Sequence, residues 1–136
     1  REVEVEGGGS GEIQIEIETD LKVSGDEKCV FRDISNLARN AIRYAGGQGP
    51  ITISAQRQAD RIAVTVADCG PGVPEEALER IFTPFFRLGS ARDRKTGGTG
   101  LGLAIARSCV EACGGTVTCS NRMPHGLNVT LTLQAV

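Results

Sequence analysis

Apolar residues in this chain recur with two different periods, and the period changes at definite places. Val3 and Val5 alternate with glutamates, and Ile13, Ile15 and Ile17 alternate with polar residues, so both stretches are predicted to be strands with one wet face. Between them Gly7-Gly8-Gly9-Ser10-Gly11 is either a long hairpin loop or a flexible tether. Residues 21–23 suggest a further short strand, closed by Ser24-Gly25-Asp26. From about 27 to 45 the spacing becomes helical, through Val30, Ile34, Leu37, Ala38, Ala41 and Ala45, which predicts an amphipathic helix on a core. Ile51, Ile53 and Ala55 alternate, a turn falls near Ala59, and Ile62, Val64 and Val66 alternate again as the second strand of an antiparallel pair. Pro74-Glu75-Glu76 opens a short helix reaching Ile81-Phe82. Beyond Leu101, the residues Ala104, Ile105, Cys109, Ala112 and Cys113 mark a second long helix, which Gly114-Gly115 stops. Residues 116–119 and 127–133 are predicted as two strands joined by Met123-Pro124-His125-Gly126, with His125 a surface residue of that turn. There is no internal repeat.

Three stretches carry chemistry beyond this pattern. Thr96-Gly97-Gly98-Thr99-Gly100-Leu101-Gly102-Leu103 runs into a helix whose first turn leaves N–H groups unpaired; without Cβ atoms the glycines let a phosphate approach them. No Gly-Lys-Ser/Thr closes the run as in a P-loop, and Arg92-Asp93-Arg94-Lys95 precedes it where a dinucleotide fold needs a buried strand. On the first long helix Asn36 and Asn40 lie one turn apart, with Arg43 and Tyr44 a turn further. That stripe is either a solvated face or a set in which an amide oxygen ligates Mg²⁺. Asp68 keeps the phase of Ile62, Val64 and Val66, so its carboxylate is predicted to point inward and to need a partner. Gly70 and Gly72 follow in a turn open enough for a flat ring, whose amino group would be such a partner; the competing reading is a turn cap.

Composition narrows the class. The 136 residues suit one domain, read here as 13–136, with 1–12 a strand and Gly/Ser-rich segment of uncertain role. A net charge of −2 gives no global pull toward nucleic acid or anionic membrane. Five cysteines form no C-x-x-C pair and suit no complete disulfide framework, so they are expected to be small core residues of a reducing compartment. Three of the four phenylalanines fall within 82–86, an apolar hinge or an ordinary core corner, and the polar, basic stretch 88–98 has the composition of a lid over a ligand site. The chain begins at Arg1, without a methionine, and reads as a piece of something larger.

Taken in order, Asn36-x-x-x-Asn40-Ala41-x-Arg43-Tyr44, Asp68-x-Gly70-x-Gly72, Phe82-x-Pro84-Phe85-Phe86-Arg87 and Gly98-Thr99-Gly100-Leu101-Gly102-Leu103 resemble the asparagine, first glycine, phenylalanine and second glycine boxes of sensor histidine kinases. The resemblance covers the chain from about Ile13 onward. It implies the Bergerat-type ATP-binding fold, an α+β two-layer sandwich with a mixed, mostly antiparallel five-stranded sheet under three helices and an ATP lid. It also implies that Asn40 ligates Mg²⁺ with help from Asn36, that Arg43 and Tyr44 lie near the phosphates or ribose, and that Asp68 receives the adenine amino group beside Gly70 and Gly72. Phe82, Phe86 and Arg87 would flank the lid, and Thr96, Gly97, Gly98, Thr99, Gly100, Leu101, Gly102 and Leu103 would form the phosphate cradle. Leu127 departs from the threonine many members carry near the base.

ATP-hydrolysing relatives place a glutamate one turn before the metal-binding asparagine, and Asn36 stands there instead, unable to take a proton. The resemblance therefore implies transfer to a histidine on a separate dimerisation domain, catalysed with Asn36, Asn40 and Arg43. A response regulator would be the downstream partner, and the parent would be an inner-membrane sensor with this domain in the cytoplasm, touching neither membrane nor nucleic acid. The alternative is a stand-alone serine kinase of the anti-sigma-factor kind, whose relatives generally lack the Phe-x-Pro-Phe-Phe and Gly-Leu-Gly-Leu runs.

Overall fold

The computed structural model describes residues 2–6, 12–17, 27–45, 49–83 and 102–135. Along the chain these form β1 (Glu2–Glu6), β2 (Glu12–Ile17), α1 (Glu27–Ala45), β3 (Ile51–Gln58), β4 (Arg61–Ala67), two single 3₁₀ turns (Glu75–Ala77 and Arg80–Phe82), α2 (Gly102–Ala112), β5 (Thr116–Asn121) and β6 (Leu127–Gln134). One sheet holds all six strands in the order β1-β2-β3-β4-β6-β5. Only β2 and β3 pair in parallel; β1 with β2, β3 with β4, β4 with β6 and β5 with β6 are antiparallel.

This is the predicted two-layer α+β sandwich with a mixed, mostly antiparallel sheet. β2 to β6 are its five expected strands, and β1 adds a sixth at the edge. Glu6 lies opposite Glu12, so the glycine-rich segment between them connects a hairpin. The short helix expected over 75–82 is instead the two 3₁₀ turns, with Ile81 and Phe82 buried. The strand suggested at 21–23 and the lid at 88–98 lie outside the described residues.

Period two explains how the sheet buries one face. In β6 Leu127, Val129, Leu131 and Leu133 are buried while the residues between them are not, and in β4 Ile62, Val64 and Val66 point the same way. Leu37 and Ala41 from α1 and Leu103, Ala106 and Val110 from α2 complete that core. On the other face Thr65 and Thr130 meet through their hydroxyls at 3.0 Å. The four cysteines whose side chains are described are half-buried, and Cys113 and Cys119 pack against the core.

A carboxylate sits inside this packing. Asp33 of α1 is 1% exposed, and its Oδ1 has no hydrogen-bond partner among the described residues. Burial lifts its pKa from the ordinary 3.8 to about 6, against the opposing pull of the Cys109 thiol, which donates to it from α2, and of the Arg32 charge. Because the folded value is the higher one, the folded chain holds the proton more tightly, and the ionised form costs up to about 3 kcal/mol. That penalty is absent below pH 3.8 and complete above about pH 6. Asp33→Asn removes the titration, so urea midpoints should show the wild type losing stability relative to the variant as pH rises from 4 to 7. A constant difference over that range would contradict the burial.

Candidate functional site

Topology brings three element ends to one end of the sheet. Thr52, at the start of β3, pairs with Ala67, at the close of β4, and α1 leads into β3. The C-terminal half of α1 and the residue after β4 are therefore neighbours, and the Cys69 thiol donates to the Pro50 carbonyl at 3.5 Å. β5 begins opposite Thr132 at the far end and finishes at Asn121, opposite Leu127, at the near one. Since α2 turns back into β5 through Cys113-Gly114-Gly115, its N-terminus faces the near end as well. The Asp33–Cys109 contact fixes the stagger of the two helices. Asn40 lies seven residues beyond Asp33, and Gly102 seven before Cys109. At 1.5 Å per residue both are displaced by about 10 Å in the same direction, so Asn40 and the start of α2 stand level.

Asp68 takes up the inward position its phase predicts and is 5% exposed. Its Oδ1 accepts two backbone N–H groups, from Gly70 at 2.9 Å and from Leu127 at 3.1 Å. Oδ1 thus caps the turn, as the competing sequence reading expects, and Oδ2 takes no hydrogen bond among the described residues. Burial raises the carboxyl's pKa, while the two N–H donors and the Arg122 guanidinium hold it back. Its backbone is fixed too, N–H to the Leu127 carbonyl at 3.0 Å and carbonyl to Arg122 Nη1 at 3.1 Å.

On α1, Asn36 and Asn40 are half-buried, and among the described residues neither amide has a hydrogen-bond partner. Arg43 is exposed in the last turn, where a cation also suits the helix dipole. The side chain of Tyr44 lies outside the described residues. Gly102 opens α2 and Leu103 is buried, a core residue more than a phosphate contact. Phe82 is buried, and Arg107 of α2 lies 5.4 Å from its ring centroid while pairing with Glu111 at 3.2 Å. Phe86, Arg87, Thr96, Gly97, Gly98, Thr99, Gly100 and Leu101 lie outside the described residues.

The sequence reading missed the β5–β6 connection as part of this site. Asn121 grips the Val73 peptide with both ends of its amide, Oδ1 accepting from N–H at 2.9 Å and Nδ2 donating to the carbonyl at 2.6 Å. His125, as its Nδ1–H tautomer, donates to the Gly70 carbonyl at 3.2 Å. The parity that exposed Asp68 holds here as well, since Asn121 continues the phase of Val117 and Cys119. A strand predicted to close at Cys119 leaves it outside. A half-buried Cys119 thiol, its pKa raised by burial and by Glu79, stays protonated and donates to Leu78 at 3.0 Å, tying the 3₁₀ turns to β5.

Residues 25–136 match the family described as histidine kinase-, DNA gyrase B-, and HSP90-like ATPase. The sensor histidine kinase WalK of Bacillus subtilis is 36% identical over 116 residues, which are 84% of this chain and 19% of WalK. The chain thus spans about a fifth of that relative. Among solved structures, the nucleotide-free catalytic domain of histidine kinase ThkA aligns with a TM-score of 0.73 at 32% identity, over 88% of this chain and 78% of that one. Full-length ShkA in complex with AMPPNP aligns with a TM-score of 0.74 at 28% identity, over 91% of this chain and 26% of that one.

Gly126 closes the β5–β6 turn at φ +123°, and a Cβ there would overlap the Asp68 carbonyl oxygen. Gly126→Ala should therefore cost about 2 kcal/mol or more. A fall in the urea midpoint checks this; an unchanged midpoint would contradict the close approach.

Proposed function

Since this chain belongs to the histidine kinase-, DNA gyrase B- and HSP90-like ATPase family, as a catalytic ATP-binding domain of the sensor histidine kinase kind, we propose that it holds Mg·ATP at the near end of the sheet for transfer of the γ-phosphoryl group to a histidine. One observation carries this reading: a buried carboxylate whose Oδ1 is saturated by backbone donors keeps Oδ2 for a ligand, on the end of the sheet that also receives Asn40 and the start of α2. Adenine's exocyclic amino group is a donor of the right kind for Oδ2. Asn36 and Asn40 offer amide oxygens not hydrogen-bonded among the described residues, which fits a hard cation shared with phosphates. Mg²⁺, when bound, neutralises charge on the transferring phosphoryl group. The Gly102 end of α2 presents unpaired N–H groups to the phosphates, and Arg43 adds an exposed cation.

Asn36 has no basic atom with which to activate water, so hydrolysis is slow and the acceptor is the imidazole of a separate dimerisation domain of the parent chain. A response regulator receives the phosphoryl group from there. WalK and ThkA are both histidine kinases, which supports that reading over serine phosphorylation by an anti-sigma-factor-like module. The parent is an inner-membrane sensor with this domain on the cytoplasmic side. Among the described residues no helix is long and apolar enough to cross a membrane.

Displacement of a fluorescent ATP analogue tests the site. Asp68→Asn turns an acceptor into a donor facing another donor, and Asn40→Asp alters the proposed metal ligand. Each should weaken Mg·ATP by at least about tenfold. Unchanged affinity in both variants would refute the assignment.

A further inference from the structure

The loop at 68–74 owes little of its shape to itself. Beyond the Asp68–Gly70 turn bond, its polar contacts run mainly to the β5–β6 turn: the Val73 peptide to Asn121, the Gly70 carbonyl to His125, the Asp68 carbonyl to Arg122 and the Asp68 carboxylate to the Leu127 N–H. Asn121 stands out because it meets a donor and an acceptor of one residue at once. A side-chain amide that does both can sit in only one orientation. Gly72, at φ +78°, has no room for a Cβ, which would come 2.8 Å from Asn121 Oδ1, so loop and amide are packed as well as bonded.

We infer that Asn121 is a positioning residue for the base: it never touches nucleotide, but by clamping Val73 it holds the far side of the loop at the distance from Asp68 at which adenine is accepted. This rests on the nucleotide reading above. Its consequence is selective. Loosening the clamp blurs the pocket that recognises the amino group of adenine and leaves the α1 amides and the start of α2, which hold metal and phosphates, as they were.

The experiment is a displacement titration of the same fluorescent analogue by Mg·ATP and by Mg·GTP, with a melting curve for each variant. GTP shares the ribose and triphosphate but carries an oxo group where adenine has its amino group. Asn121→Ala and Asn121→Asp, the second replacing the N–H donor by a carboxylate oxygen that repels the Val73 carbonyl, should each weaken ATP by about tenfold and reduce the ATP-to-GTP preference by a similar factor. Asn121→Ser, which retains one bond, should fall between them and the wild type; it carries the test if the other two fail to fold. ATP affinity unchanged in the variants, or ATP and GTP weakened equally with the preference intact, would overturn the positioning role. A wild type that does not bind Mg·ATP would instead overturn the nucleotide reading itself.

Discussion

Parallel strands cannot be joined by a tight turn, and that constraint organises this domain. β2 and β3 run side by side in the same direction, so the chain must leave the sheet, cross it and return, and α1 is what crosses. A helix used in this way delivers its C-terminus to the start of the next strand. The start of β3 pairs with the close of β4, so the end of α1 and the residue after β4 are held together before any ligand contact is considered. The end of α1 and Asp68 come to one end of the sheet in consequence of strand pairing. The chemistry of the site is placed on that geometry and does not create it.

The second long helix is coupled to the first through polar and apolar contacts of very different character. Leu37, Ala41, Ala106 and Val110 supply a continuous apolar seam, which would tolerate sliding by a fraction of a turn. The Asp33–Cys109 hydrogen bond is directional and marks one stagger. It is an expensive marker, since the carboxyl is buried with one oxygen that has no partner among the described residues. Retaining a group of that cost where an alanine would pack fits a role in fixing the register of α1 against α2, on which the level of Asn40 and Gly102 depends.

Most of the sheet and both long helices were legible in the sequence because burial on one face imposes a period, and the period is visible residue by residue. Asp68 was legible for the same reason: a charged residue in an apolar phase has to be explained. Asp33 escaped notice because a helical stripe is read from its apolar members, and one polar member between Val30 and Leu37 looks like the edge of the wet face. Asn121 escaped because pairing of the last residues of β5 depends on where β6 begins, which alternation in one strand does not reveal. The hairpin of β1 with β2 was left open because a glycine-rich connection constrains neither outcome. What sequence could not supply was the orientation of hydrogen bonds, above all that Oδ1 of Asp68 takes two backbone donors while Oδ2 takes none among the described residues.

Val73 and Asn121 are 48 positions apart, so the loop at 68–74 is shaped by residues that follow it only after α2 and most of β5 have been laid down. Long-range closures of this sort come late in folding, once the chain entropy between the partners has been surrendered. A partly folded chain can possess the α1 stripe and the inward acid and still lack a formed loop at 68–74. Ligand affinity in this domain is therefore a gauge of completed tertiary structure, and a nascent or misassembled copy would be silent because its recognition loop has nothing to lean on.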